Sequence, residues 1–130
     1  MKKLLGVALV AISIGLFSFQ VAISIEDVIS AMRVGNASKL SEYFDARVDV
    51  SLPGRSDNYS KSQAEMILKD FFHSNKVRSF DVKHRGENKD GSLFCVGTLE
   101  TSIGAYRAKF FMKNKAGDQV LQEIGFELMQ

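Results

Sequence analysis

The sequence predicts an α+β domain in which an antiparallel sheet rests on three N-terminal helices. Three observations predict it. Apolar residues recur at helical spacing in the first half of the chain. From about residue 77 onward, four runs alternate apolar and polar side chains, the period of a half-buried strand. Between those runs stand Asp90-Gly91, Ile103-Gly104 and Ala116-Gly117-Asp118, residues suited to hairpin turns.

The chain opens differently. Lys2 and Lys3 precede an uncharged apolar run from Leu4 to Phe19, too short for the roughly 20 apolar residues of a membrane span. A basic start, an apolar stretch and small residues after it describe a secretory leader. We expect a signal peptide over residues 1–22 and a single domain over 23–130, placed in the periplasm or secreted, with no membrane contact once the leader is removed. The whole chain carries 17 Lys and Arg against 15 Asp and Glu. Lys2 and Lys3 leave with the leader, so the remainder is balanced, which argues against a nucleic-acid partner. With Cys95 as the one cysteine, no intrachain disulfide can form and the core must hold the domain together.

Ile25, Val28, Ile29 and Met32 make one face of a first helix, with Ser24 and Asp27 placed as a capping box and Gly35 as its stop. Asn36 can cap a short second helix whose face is Ala37, Leu40, Tyr43 and Phe44. Val48, Val50 and Leu52 alternate with Arg47, Asp49 and Ser51 in a strand that Pro53-Gly54 ends, and the polar residues 54–59 read as a loop. Ser60 and Gln63 form a capping box for the third helix, whose stripe is Ala64, Ile67, Leu68, Phe71 and Phe72, closed by Ser74-Asn75. Four strands follow, at about 77–86, 92–102, 105–113 and 119–128.

Parity sorts these strands into two faces. Phe80, Val82, His84, Leu93, Cys95, Gly97, Leu99, Tyr106, Ala108, Phe110, Met112, Val120, Gln122, Ile124 and Phe126 are expected on the helix-covered face. Phe94, Val96, Thr98, Glu100, Arg107, Lys109, Phe111, Lys113, Leu121, Glu123 and Glu127 are expected on the other. A two-residue turn at Ile103-Gly104 would set Glu100 opposite Arg107 and Val96 opposite Phe111. An odd-length loop after Lys113 would set Lys109 opposite Glu123 and Phe111 opposite Leu121, pairing like with like and charge with counter-charge.

The order of elements, with Tyr43-Phe44-Asp45 leading into the first strand and Ser60-Lys61-Ser62-Gln63-Ala64 opening the long helix, resembles the nuclear transport factor 2-like superfamily, a curved sheet wrapped on helices into a cone. Gly35-Asn36-Ala37, Tyr59 to Glu65, Lys69-Asp70-Phe71-Phe72, Gly97 to Thr101 and Gln122-Glu123-Ile124 are similar to an uncharacterised family of exported bacterial domains within it, over residues 26–128. The resemblance implies the cone fold and no activity. Isomerases of the superfamily place a carboxylate base on the inner face of the first strand. Here the inward positions are Val48, Val50 and Leu52, Asp49 has the opposite parity, and Asp45 stands at the rim.

No phosphate loop, nucleophile elbow or metal-ligand spacing is present in the sequence, and no cofactor is expected. Cys95 reads as a buried, inert thiol. Tyr106 and Gln122 are polar tips on the core face and need partners. The expected function is a non-catalytic small-ligand-binding or interaction module, with Tyr43, Tyr59, His84, Tyr106 and Gln122 as pocket candidates for a small apolar ligand. The alternative is a small isomerase or dehydratase-type lyase using Asp45 or His84 as base and Tyr106 as donor. In a third arrangement Phe71, Phe72, Phe80, Phe110 and Phe126 fill the cone, leaving an interaction protein. Val96, Phe111 and Leu121, ringed by Glu100, Arg107, Lys109 and Glu123, predict a homodimer through the outer sheet face.

Overall fold

The stripe at Ile25, Val28, Ile29 and Met32 folds as helix α1, residues 24–34, and all four side chains are buried. The structure is a computed structural model that describes residues 24–129. The leader assigned to residues 1–22 lies outside the described residues. Gly35 takes φ +64° at the end of α1, and a Cβ there would stand 2.9 Å from Val77 Cγ2, so both backbone and packing require glycine. Asn36 then caps α2 (Ala37–Ser41), its Oδ1 accepting from the Lys39 amide at 3.0 Å. The Ser60–Gln63 capping box opens α3 (Lys61–Ser74), which buries Ala64, Leu68, Phe71 and Phe72.

Six strands make one curved sheet: β1 (Phe44–Leu52), β2 (Arg55–Ser60), β3 (Val77–Glu87), β4 (Leu93–Thr101), β5 (Ala105–Lys115) and β6 (Asp118–Leu128), in the order β2-β1-β6-β5-β4-β3. The helices cover one face. Phe110 and Ile124 are buried there, while Lys109 and Glu123 are exposed on the other side. The parity reading of β4 and β5 therefore holds.

Five details differ from the sequence reading. Residues 54–59, expected as a loop, are largely the edge strand β2, paired antiparallel to β1; their all-polar composition reflects an edge exposed to water. The sheet is mixed, because β1 lies parallel to β6 in its middle. The β4–β5 register is displaced by two residues, with Phe94 rather than Val96 opposite Phe111 and Thr98 rather than Glu100 opposite Arg107. The Thr101 hydroxyl accepts from the Ile103 and Gly104 amides and donates to the Gly104 carbonyl, building a longer turn than Ile103-Gly104 alone.

The β5–β6 hairpin also departs from expectation. It turns on Ala116 and Gly117, φ 51° and 91°, a two-residue turn with both residues left-handed rather than an odd-length loop. A bulge then follows. Phe111 pairs with Glu123 and Met112 with Leu121, so Gln122 is the extra residue and the faces invert before it. Lys109 consequently faces Gly125, not Glu123. The fifth difference is a second bulge: Val82 pairs with Gly97 but His84 with Val96, leaving Lys83 as the extra residue.

Candidate functional site

In a cone of this kind the space between helices and sheet is where a ligand would enter. Here it holds aromatic side chains. Phe71 and Phe72 from α3, Tyr106 from β5 and Phe126 from β6 stack with ring centroids 4.7–5.8 Å apart, edge-on or tilted. Phe80 and Phe110 are buried beside them in the same core. Phe71 and Phe72 stand in the last turn of α3, which ends at Asn75, a residue the sequence reading took only as a stop. Asn75 is buried and satisfies the cluster's one hydroxyl. Tyr106 Oη donates to Asn75 Oδ1 at 2.7 Å, and Asn75 Nδ2 donates to the Phe71 carbonyl at 3.0 Å. The Tyr106 tip is thus engaged inside the protein and does not line an open pocket.

Tyr43 follows α2 and is half-buried. Its hydroxyl donates to Asp27 Oδ2 on α1 at 2.5 Å. Burial, then the hydrogen bond to Asp27, push its pKa up to about 12. Asp27, read as part of a helix cap, ties α1 to the entrance of β1.

Gln122 is not on the core face. As the bulged residue of β6 it is half-buried, and its Nε2 donates to Asp45 Oδ2 at 3.0 Å. Lys115 Nζ donates to both oxygens of the same carboxylate at 3.0 and 3.2 Å, and the Ala46 amide donates at 2.8 Å. Lys115 first, then Gln122 and the Ala46 amide, hold the Asp45 carboxyl below the usual carboxylate range. A carboxylate bonded in this way is a weakened proton acceptor.

His84 is also displaced. The Lys83 bulge turns it to the outer face beside Val96, exposed, and puts Arg85 opposite Cys95 on the helix side, where the guanidinium pairs with Glu26 of α1. Burial pushes the Cys95 thiol up to about 11, which leaves it protonated and unreactive at neutral pH. Among the described residues no three His, Cys, Asp or Glu side chains gather as metal ligands.

Tyr59, by contrast, borders an open trough. It lies on β2 opposite Val48, on the helix side of the sheet, and with Arg55, Ser62, Gln63, Met66 and Ile67 lines a trough of about 320 Å³. Arg55 Nε donates to the Tyr59 hydroxyl at 3.3 Å, and its guanidinium carbon sits 5.9 Å from the ring centre. Arg55 escaped the sequence reading because its strand read as loop.

On the outer face, Val96 and Phe111 are half-buried and stand with Phe94, whose ring covers Gly86. A dent of about 170 Å³ opens there, bordered by Val96, Phe111, Lys109 and Glu123. Leu121, expected in this island, is fully buried in the core, because the Gln122 bulge inverts its facing. The register makes Arg107 and Glu127 direct neighbours, yet among the described residues neither they nor Lys109, Glu123 and Glu100 form an ion pair.

Comparison with known proteins agrees with this architecture. No curated protein matches the sequence. Crystal structures of DUF4783 family proteins from Bacteroides ovatus and Bacteroides uniformis are 33% and 32% identical, with TM-scores of 0.76 and 0.77. The first covers 80% of this chain and 94% of its own, the second 81% and 96%. An NTF-2 like protein of unknown function from Burkholderia xenovorans shares the fold at 10% identity, with a TM-score of 0.63 and 87% of each chain covered. Residues 25–127 match the family described as Domain of unknown function (DUF4783), and the chain belongs to that family, a domain of unknown function on the nuclear transport factor 2-like fold.

Proposed function

We propose that this domain is a non-catalytic interaction module, exported by its leader, that works as a homodimer joined through the outer face of the sheet. One observation carries the reading: an apolar centre of Phe94, Val96 and Phe111 is surrounded by charges that find no ion-pair partner among the described residues. Arg107 and Lys109 stand on β5 beside Glu123 and Glu127 on β6, so a second copy related by a two-fold axis running along the strands between β5 and β6 would set basic side chains against acidic ones. An apolar centre inside a charged rim is the composition of a protein interface.

The rest of the molecule supports an interaction role over catalysis. The hydroxyl that a lyase would direct at substrate is bonded to Asn75, Asp45 is held by Lys115 and Gln122, and His84 faces the other side of the sheet. Lys2, Lys3 and the apolar run after them support export.

Sedimentation equilibrium of the domain tests the assembly. A dimer is expected at micromolar concentration, and Phe111→Glu is expected to yield a monomer with an unchanged far-UV spectrum. A wild-type monomer at high micromolar concentration, or a dimer that survives Phe111→Glu, overturns the reading.

A further inference from the structure

We infer that the trough between β2 and α3 binds a small amphiphilic carboxylate, its apolar tail along Met66 and Ile67 and its carboxylate on Arg55. This goes beyond the self-association proposed above and does not depend on it, since the trough lies on the helix side of the sheet.

The walls are Tyr59, Met66 and Ile67, with Met66 left 65% exposed although it is a large apolar side chain on an otherwise amphipathic helix. Methionine is the flexible, polarisable residue that adapts to varied apolar ligands. The volume of about 320 Å³ is at the small end of the range for small-molecule sites, ~300–1,000 Å³. That favours a short tail over a longer polymer.

Arg55 supplies the polar end. Its Nε is used by the Tyr59 hydroxyl, which fixes the guanidinium beside the ring and leaves both Nη groups without a partner among the described residues. Two parallel Nη–H donors match the two oxygens of a carboxylate. The lining contains one cation and no acid. Asp57 shares the helix-side parity of β2 but does not line the trough, and its Oδ1 accepts from the Asn58 amide. Leu52, opposite Arg55 on β1, offers no counter-charge.

Titration of the ¹⁵N-labelled domain with octanoate, below its micellar concentration, tests this. Octanoate is expected to shift amide signals of residues 55–67, and octan-1-ol to bind at least about tenfold more weakly, because the charged hydrogen bonds are lost. Arg55→Gln is expected to weaken octanoate about tenfold with an unchanged melting temperature, and Met66→Glu to weaken it as well. Equal binding of octan-1-ol, shifts confined to the outer sheet face, or an Arg55→Gln domain that binds as tightly as wild type overturns the assignment. Tighter, competing binding of a peptide ending in an apolar residue also overturns it, since the trough would then read a polypeptide terminus.

Discussion

A single hydroxyl can show how this molecule places its polar tips. Tyr43 donates to Asp27, and its phenol is held neutral up to about pH 12, against an ordinary value of 10.0. The folded state therefore keeps a proton that the unfolded chain gives up sooner. The stabilisation is present in full below about pH 10 and is lost as pH rises through about 12. Tyr43→Phe is expected to cost ~1 kcal/mol near neutrality, through the stranded Asp27 carboxylate. Wild type is expected to lose more of its melting temperature between pH 8 and pH 11 than Tyr43→Phe does, in paired calorimetric scans. Tyr106 follows the same logic deeper inside. That a tyrosine on the core face needs a partner was legible from its parity. That the partner is Asn75, 31 residues away, was not, because a helix-stopping asparagine carries no mark of the strand it will meet.

At the level of elements, alternation in β4 and β5 was readable because each strand keeps one facing along its length. β3 and β6 do not. An extra residue at Lys83 and another at Gln122 invert the facing of everything on one side, and a bulge leaves no compositional trace when the inserted residue is itself polar. His84, Gln122 and Leu121 were misplaced for that reason alone. β2 was missed for a different one: Arg55 to Ser60 contains no apolar alternation, because its outer edge meets water and its pairing with β1 comes from the backbone. The corrected position of Leu121 can be checked directly. Leu121→Ala is expected to destabilise the domain by ~2–5 kcal/mol in urea denaturation, as removal of a fully buried leucine does, while leaving any dimer constant unaffected. An interface leucine would show the reverse.

Across the whole molecule, the cone is closed by its own aromatic residues, and the two partner surfaces proposed above, the outer face of the sheet and the trough beside β2, both lie outside it. The fold class and the three-helix cover were legible in the sequence; the parallel contact of β1 with β6 was not, since it joins segments as far apart as Asp45 and Gln122, 77 residues from one another. A chain ending at residue 117 is expected to show no cooperative thermal transition and to aggregate, with β1 and β5 both left as open edges. The same parallel seam governs when the protein can fold. β1 waits beside an empty lane until β6 is available, so the middle of the sheet closes only once that late strand has joined. Such a delay would keep the polypeptide threadable, as the export proposed above requires.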